Sequence, residues 1–165
     1  MTEIKTYGDF FAWCEKQGLK SDRLISVAFH ITPQSVRNWK AKNSQYLAGD
    51  TKAVPPIWLE LSCLGFEAAR RHSPEIMPSF PAASLAWFDV WRAQHRLNTL
   101  ELTSSTFGIT RQAVHNWYHR NKTPRWLPMA CRGYEVRIRG GEEEVSGPAP
   151  VAEATATEGV SQAAE

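Results

Sequence analysis

The 165-residue chain has the composition of a globular protein, with 42% hydrophobic, 11% aromatic and 22% charged residues. This composition excludes a fully disordered chain, and the length suits one domain or two small ones. No run of about eighteen apolar residues is present and the N-terminal residues lack the order of a secretory signal, so we expect a cytoplasmic protein without a membrane span. The cysteines Cys14, Cys63 and Cys131 are an odd number without a CxxC pair, which predicts free thiols.

The formal net charge of +2 is distributed unevenly along the chain. Residues 141–165 contain six Glu and no Lys or Arg, so this segment carries −6 and residues 1–140 carry +8. The acidic segment has no aromatic residue and too little apolar surface to offset the entropy of ordering it. We therefore predict a basic body followed by a disordered acidic tail over residues 140–165.

The body contains one segment twice. Residues 29–39 and 107–117, which lie 78 positions apart, are identical at seven of eleven positions. Residues 56–71 match residues 124–139 at an offset of 68, so the first copy has a ten-residue insertion within residues 41–54. Chance does not explain a match of this extent.

The repeat divides the chain into domains. We predict a first domain over residues 1–71, a Pro-rich linker over residues 72–83 and a second domain over residues 84–139. Three prolines in the linker favour extended backbone. Two modules of about 65 residues can each sustain a small core, and packing of one module on the other stays open.

Each copy is predicted to be a run of four short helices in the same order. Apolar residues at three- and four-residue spacing place the first helix of copy 1 over residues 9–17, and Ser84 caps its counterpart. No alternating apolar pattern predicts a sheet, so we expect an all-α fold. The residues predicted to cap the second and third helices are Ser21, Thr99, Thr32 and Thr110, with Pro33 at a first helical position.

The fourth helix is predicted to begin near Pro56 in copy 1 and near Pro124 to Pro128 in copy 2. Gly65 and Gly133 share one repeat position, and they indicate bends or stops in this helix. Tryptophans and cysteines at shared positions are predicted to be core residues rather than ligands. They are Trp13, Trp39, Trp58, Trp91, Trp117, Trp126, Cys63 and Cys131.

The second and third helices of each copy fit a helix-turn-helix. Such a unit needs a small residue within its first helix, a tight turn that favours Gly, and two apolar residues on its second helix. Copy 2 has Ser104 and Gly108 at the first two places, whereas copy 1 has Ser26 but His30 at the turn, where Gly is easier to accommodate. The inward apolar residues are Val36 and Trp39 in copy 1 and Val114 and Trp117 in copy 2.

The outward face of the third helix carries side chains suited to reading DNA. Gln and Asn can bond bidentately to adenine and Arg to guanine, and the N-terminal half of such a helix enters the major groove. We predict base contacts from Thr32, Gln34, Arg37, Asn38, Thr110, Arg111, Gln112, His115 and Asn116, and phosphate contacts from Lys40, Lys42, His119, Arg120 and Lys122. His115 and His119 lack a further ligand nearby, so neither a metal site nor a cofactor is predicted.

The pattern Phe-x-Ile-Thr-x-Gln-x-Val-x-Asn-Trp, followed by basic residues, a Pro and an apolar helix, resembles the Cro/CI-like (lambda-repressor-like) family of DNA-binding domains. The resemblance covers most of residues 7–71 and 84–139. It implies two tandem lambda-repressor-like bundles and a transcriptional regulator, a repressor of phage or bacterial origin that binds double-stranded DNA. Most members of the family have one such domain and dimerise, whereas this chain has two copies.

We therefore expect a sequence-specific DNA-binding protein rather than an enzyme, since no catalytic constellation is present. Its two half-sites should be related but not identical, about one helical turn or a multiple of it apart. The alternatives are a protein–protein interaction module, such as a phage factor or an antitoxin, and an architectural DNA-binding protein in excision, partition or packaging. A homodimer and a protein partner for the acidic tail stay open, and the expected location is the nucleoid of a bacterium or of a phage-infected cell.

Overall fold

The computed structural model describes residues 3–50, 52–72, 74 and 76–145, and every regular element in these ranges is an α-helix. The predicted all-α fold is confirmed. None of these helices is both long and apolar enough to cross a bilayer. The helices of copy 1 are α1 (Tyr7–Lys16), α2 (Asp22–Phe29), α3 (Pro33–Leu47) and α4 (Ile57–His72), and those of copy 2 are α5 (Leu85–Gln94), α6 (Leu100–Phe107), α7 (Arg111–His119) and α8 (Leu127–Val145).

Side-chain caps begin six of these helices. All five predicted caps are present, and in each the side-chain oxygen accepts a hydrogen bond from the backbone N–H three residues later. Thr6 is a further cap, and it forms a reciprocal capping box with Asp9. Because this box satisfies two N-terminal donors, α1 begins at Tyr7 rather than at the predicted Asp9.

The turn between the second and third helices has the same backbone conformation in both copies. His30 has φ 52° and ψ 40°, and Gly108 has φ 62° and ψ 41°, so both residues are left-handed. In each copy the residue after the turn donates its N–H to a serine carbonyl, Ile31 to Ser26 at 3.0 Å and Ile109 to Ser104 at 2.9 Å. Copy 1 therefore keeps the turn despite the histidine, at an expected cost of about 1–2 kcal/mol relative to Gly.

Two helices are longer than the repeat predicts. The insertion in copy 1 extends α3 to Leu47, whereas α7 ends at His119, the counterpart of Ala41. At the other end of the chain α8 continues to Val145, past the domain boundary predicted at residue 139. Residues 140–145 thus belong to α8, and the disorder expected from residue 140 stays a prediction. The rest of the predicted tail, residues 146–165, lies outside the described residues.

Two hydrophobic clusters form the interior, and each copy contributes a residue to the other's cluster. The first contains Phe10, Phe29 and Val36 of copy 1 together with Met129 of α8. The second contains side chains of copy 2 together with Leu61 of α4. Leu61 and Met129 occupy the same repeat position, and both are fully buried. The two copies are thus fused through a reciprocal exchange of core residues.

The exchange occurs where α4 and α8 cross at Gly65 and Gly133. A Cβ added to Gly65 would collide with the carbonyl of Met129 and lie 3.0 Å from the backbone nitrogen of Gly133. A Cβ added to Gly133 would collide with the carbonyl of Leu61 and lie 2.9 Å from the backbone nitrogen of Gly65. The predicted helix stop at these glycines is wrong, because both lie inside continuous helices. Their lack of a side chain instead lets two helix backbones touch.

The same backbone contact occurs twice at this crossing, with the roles of α4 and α8 exchanged. Leu61 contacts Gly133, and its repeat counterpart Met129 contacts Gly65, the counterpart of Gly133. This is the contact pattern of an isologous interface, in which residue i meets j and j meets i. The two copies therefore have a pseudo-two-fold relationship, with the axis at the α4–α8 crossing.

Candidate nucleic-acid interface

The helices α3 and α7 each bury one face and expose the other. Val36 and Val114, at equivalent positions, are fully buried beneath the two helices. Gln34, Asn38 and Gln112 are exposed, and Asn116 is half-buried. All four amide side chains are therefore at the surface, on the face opposite the valines.

The amides form the same hydrogen bond in both copies. Gln34 Nε2 donates to Asn38 Oδ1 at 2.9 Å, and Gln112 Nε2 donates to Asn116 Oδ1 at 3.0 Å. Each bond uses one of two donors on the glutamine amide and leaves the asparagine amide donors free for another acceptor. The pair thus presents donors and acceptors side by side with its orientation already fixed, which reduces the entropy lost on binding.

The two copies differ beside this shared pair. In copy 1 the Arg37 Nε and Nη2 atoms donate to Gln34 Oε1 at 3.2 and 3.0 Å. Copy 2 has an exposed histidine, His115, at the position of Arg37. Copy 2 also has Arg111, whose Nη1 atom lies 3.1 Å from Glu101 Oε2, and both of these side chains are about 70% exposed. So exposed an ion pair contributes little stability, and Arg111 can exchange Glu101 for another acceptor at low cost.

Thr32 and Thr110 have local structural roles. Thr32 Oγ1 accepts the backbone N–H of Ser35 at 3.1 Å, and Thr110 Oγ1 accepts that of Ala113 at 3.1 Å. Both hydroxyls thereby act as acceptors, and the Thr32 hydroxyl also shares a hydrogen bond of 2.9 Å with the Ser35 hydroxyl. Their capping function is sufficient to explain why both copies have Thr at this position.

The basic residues predicted to contact phosphate are arranged differently in the two copies. In copy 1 the Lys40 Nζ atom lies 2.6 Å from Asp22 Oδ1, and Lys42 Nζ lies 5.9 Å from the centre of the Tyr7 ring. In copy 2 Arg120 and Lys122 are exposed, and they line a cleft of about 410 Å³ together with Asn116. His119 is also exposed, at the end of α7. The cations of copy 2 therefore lie beside the amide pair, whereas Lys40 of copy 1 is held by a carboxylate.

One cation near the interface was missed by sequence reasoning. Arg125 of copy 2 lies close enough to His30 of copy 1 to act on it electrostatically: burial, and secondarily the charge of Arg125, lower the pKa of His30. Arg125 is exposed and occupies the repeat position of Ile57, which packs against Gly108 at the other turn. No sequence signal could have found it, because its position depends on how the two copies pack.

A row of four tryptophans connects α3 to α7. Ring centroids are 5.9 Å apart for Trp39 and Trp58, 4.5 Å for Trp58 and Trp126, and 5.9 Å for Trp126 and Trp117. These steps limit the separation of Trp39 and Trp117, on the inner faces of the two helices, to about 16 Å. Since a helix with its side chains is about 10–12 Å thick, the two outward faces lie within about 40 Å of each other.

Within the described ranges no three His, Cys, Asp or Glu side chains are grouped so that they could hold a metal ion. The three cysteines are reduced and buried. Comparison of the chain with protein-family models, with curated proteins and with solved structures found no match.

Proposed function

We propose that the protein is a sequence-specific double-stranded DNA-binding regulator that places α3 and α7 in two major-groove segments. The observation that carries the proposal is the identical hydrogen-bonded Gln–Asn pair on the exposed face of both helices. Surface residues without a shared task have no reason to keep both identity and mutual geometry while their neighbours at Pro33, Ser35 and Arg37 differ between the copies. An amide that is oriented and exposed is the group that reads adenine.

The fused core supports a specific operator geometry. A pseudo-two-fold relationship between two reading units corresponds to an inverted repeat in the DNA. Outward faces within about 40 Å of each other are compatible with half-sites one helical turn apart, about 34–36 Å, and too close for two turns. The half-sites would be imperfect copies, because Arg111 and His115 replace Pro33 and Arg37.

Copy 2 is expected to contribute more affinity than copy 1. Arg120 and Lys122 are exposed beside the amide pair of copy 2, whereas Lys40 must first exchange Asp22 for a phosphate. Each phosphate neutralised makes log K fall with log salt by a slope of about 0.9. Removing Lys122 should therefore reduce the salt slope by about one, and removing Lys40 should reduce it less.

The experiment is selection of bound sequences from a random duplex library, followed by affinity measurements on the selected site. We expect an imperfect inverted repeat with one-turn spacing. Gln112→Ala and Asn116→Ala should each weaken binding to the selected site by about 1–3 kcal/mol and relax the sequence preference at one half-site. Gln94→Ala, an exposed glutamine on α5, is the matched control and should bind as the unaltered protein does.

Two outcomes would contradict the proposal. One is the absence of any enriched sequence at moderate salt. The other is full-strength binding by the Gln112→Ala and Asn116→Ala variants, which would mean that the amide pairs do not contact bases.

One observation favours a protein–protein interaction module instead. Leu24 of α2 and Leu102 of α6 share a repeat position and are 40% and 46% exposed. Large apolar side chains exposed at matching places suit a protein partner better than a phosphate backbone. Under this alternative, random DNA would not retain the protein at low salt, and Leu24→Ser with Leu102→Ser would abolish partner binding without changing the fold.

A further inference from the structure

A cleft of about 520 Å³ lies where α4, the linker, α5 and α8 meet. It has the volume of a small-molecule site, for which about 300–1,000 Å³ is usual. Its apolar walls include Ala69 of α4, Ala82 of the linker and Trp87 of α5, and α8 contributes the charged side chains Arg132 and Glu135. None of these residues belongs to the candidate nucleic-acid interface.

The pseudo-two-fold relationship provides an internal comparison for this cleft. Ile4 occupies the repeat position of Ala82, and its side chain is buried in the core of copy 1. Arg137 occupies the repeat position of Ala69, and its Nη2 atom donates to Glu60 Oε2 at 2.8 Å. The cleft beside Ile4 is smaller, about 210 Å³. The larger cleft therefore has alanine at two positions, Ala82 and Ala69, whose repeat counterparts Ile4 and Arg137 have bulky side chains.

Trp87 also replaces a residue with a structural role. Its counterpart in copy 1 is Asp9, which completes the capping box with Thr6. In copy 2 Ser84 still accepts the Trp87 N–H at 3.1 Å, but an indole cannot return the second hydrogen bond. Helix α5 thus lacks part of its cap, and in exchange the cleft has an indole wall that is 42% exposed.

Arg132 gives the cleft a site for an acidic group. Its counterpart, Leu64, is a buried core residue in copy 1. Arg132 Nη1 donates to Glu135 Oε2 at 3.2 Å, while Glu135 Oε1 accepts from Trp91 Nε1 at 3.0 Å. A guanidinium has five N–H donors, and the Arg132 side chain is 39% exposed, so donors remain for a second acceptor.

The linker wall of the cleft is fixed from both copies. Thr123 Oγ1 donates to the carbonyl of Ala83 at 2.6 Å, and Phe80 packs against the core of copy 1. A wall that is held in place does not have to be ordered when a ligand binds, which reduces the entropic cost of binding.

We propose that this cleft binds a small aromatic anion. The rings would lie against Trp87 and the apolar walls, and the carboxylate or sulfonate would pair with Arg132. An aromatic body suits a mostly apolar cleft with an exposed indole, and a planar guanidinium recognises an acidic oxyanion with two parallel hydrogen bonds.

The test uses two fluorescent probes of similar shape, the anion anilinonaphthalene sulfonate and the neutral N-phenylnaphthylamine, titrated into the full chain. We expect one site per chain for the anion. Ala82→Ile and Ala69→Leu fill the cleft, and each should weaken binding of the anion at least about tenfold. The control Ala93→Ile, at an exposed position of α5, should leave binding of the anion unchanged. Arg132→Leu introduces the residue type of its counterpart Leu64. It should weaken binding of the anion about tenfold and binding of the neutral probe by less than about twofold.

Circular dichroism and a single thermal transition confirm that each variant is folded before its titration is interpreted. The proposal is overturned if the unaltered protein shows no saturable anion site. It is also overturned if both cleft-filling variants bind the anion normally, or if Arg132→Leu weakens the two probes equally. Because two separate positions are filled, misfolding of one variant leaves the other to decide.

Discussion

Substituting Gly133 tests whether the two copies are one folding unit. Alanine has a higher helix propensity than glycine by about 1 kcal/mol, so Gly133→Ala would stabilise an isolated α8. In the structure the new Cβ would collide with the carbonyl of Leu61, which is backbone and cannot rotate away. The α4 and α8 helices would have to separate at the point where Leu61 and Met129 exchange between the cores.

We expect Gly133→Ala to lower the free energy of unfolding by about 3 kcal/mol. Overpacking a core costs about 1–3 kcal/mol, and the upper end applies because the obstacle is backbone. Partial exposure of Leu61 and Met129 adds to the loss, since each fully buried side chain of this size contributes about 1.5–3 kcal/mol. Gly65→Ala should act similarly through the Met129 carbonyl.

Urea unfolding followed by circular dichroism measures the change. Gly8→Ala in α1 is the matched control, because its Cβ would lie 3.2 Å from Asn43 Oδ1, the end of a flexible side chain. We expect the control to change the free energy of unfolding by less than about 1 kcal/mol. If Gly133→Ala instead raised stability, as helix propensity alone requires, the backbone contact between α4 and α8 would be refuted.

The turn residues and the buried thiols supply the remaining predictions. His30→Gly should stabilise the protein by about 0.5–1 kcal/mol, because glycine relieves the strain of about 1–2 kcal/mol at φ 52° but loses more conformational entropy on folding. A loss of stability in urea unfolding would contradict this. Burial and the charge of Arg125 lower the pKa of His30, so the folded state favours the neutral imidazole. The free energy of unfolding should therefore fall as the pH drops from about 6.5, the pKa in the unfolded chain, toward the lower pKa of His30 in the folded state. His30→Gly should lessen that fall. Burial raises the pKa of the Cys14 thiol to about 12. The free energy of unfolding should therefore decline as the pH rises above about 8.5, the pKa of a cysteine thiol in the unfolded chain. Rapid labelling of Cys14 by a thiol reagent at pH 8 under native conditions would refute its burial.

The sequence predicts the local structure well because the determinants are short-range. Ser21, Thr32, Thr99 and Thr110 each cap a helix through a backbone N–H three residues away, and such a bond needs no partner from elsewhere in the chain. The exposure of the amide pair follows similarly, since burial of Val36 and Val114 fixes which face of each helix is outward.

The relationship between the copies could not be predicted in this way. The local sequence predicts bends or stops at Gly65 and Gly133, because a glycine within a helical pattern is locally unfavourable. Its benefit is the close approach of a second helix, which is visible only when the partner helix is present. The cleft beside Trp87 was missed for the same reason: Ala69, Ala82 and Arg132 come from three parts of the chain.

What the amino-acid sequence determined by itself is the repeated four-helix unit, its caps and the side chains on the outward faces of α3 and α7. These depend on periodicity and on hydrogen bonds that span three or four residues. The tertiary structure alone decided the pseudo-two-fold fusion, the tryptophan row that limits the spacing of α3 and α7, and the cleft at the junction. Those features come from backbone contact between α4 and α8, a long-range interaction whose energy depends on three-dimensional fit rather than on sequence pattern.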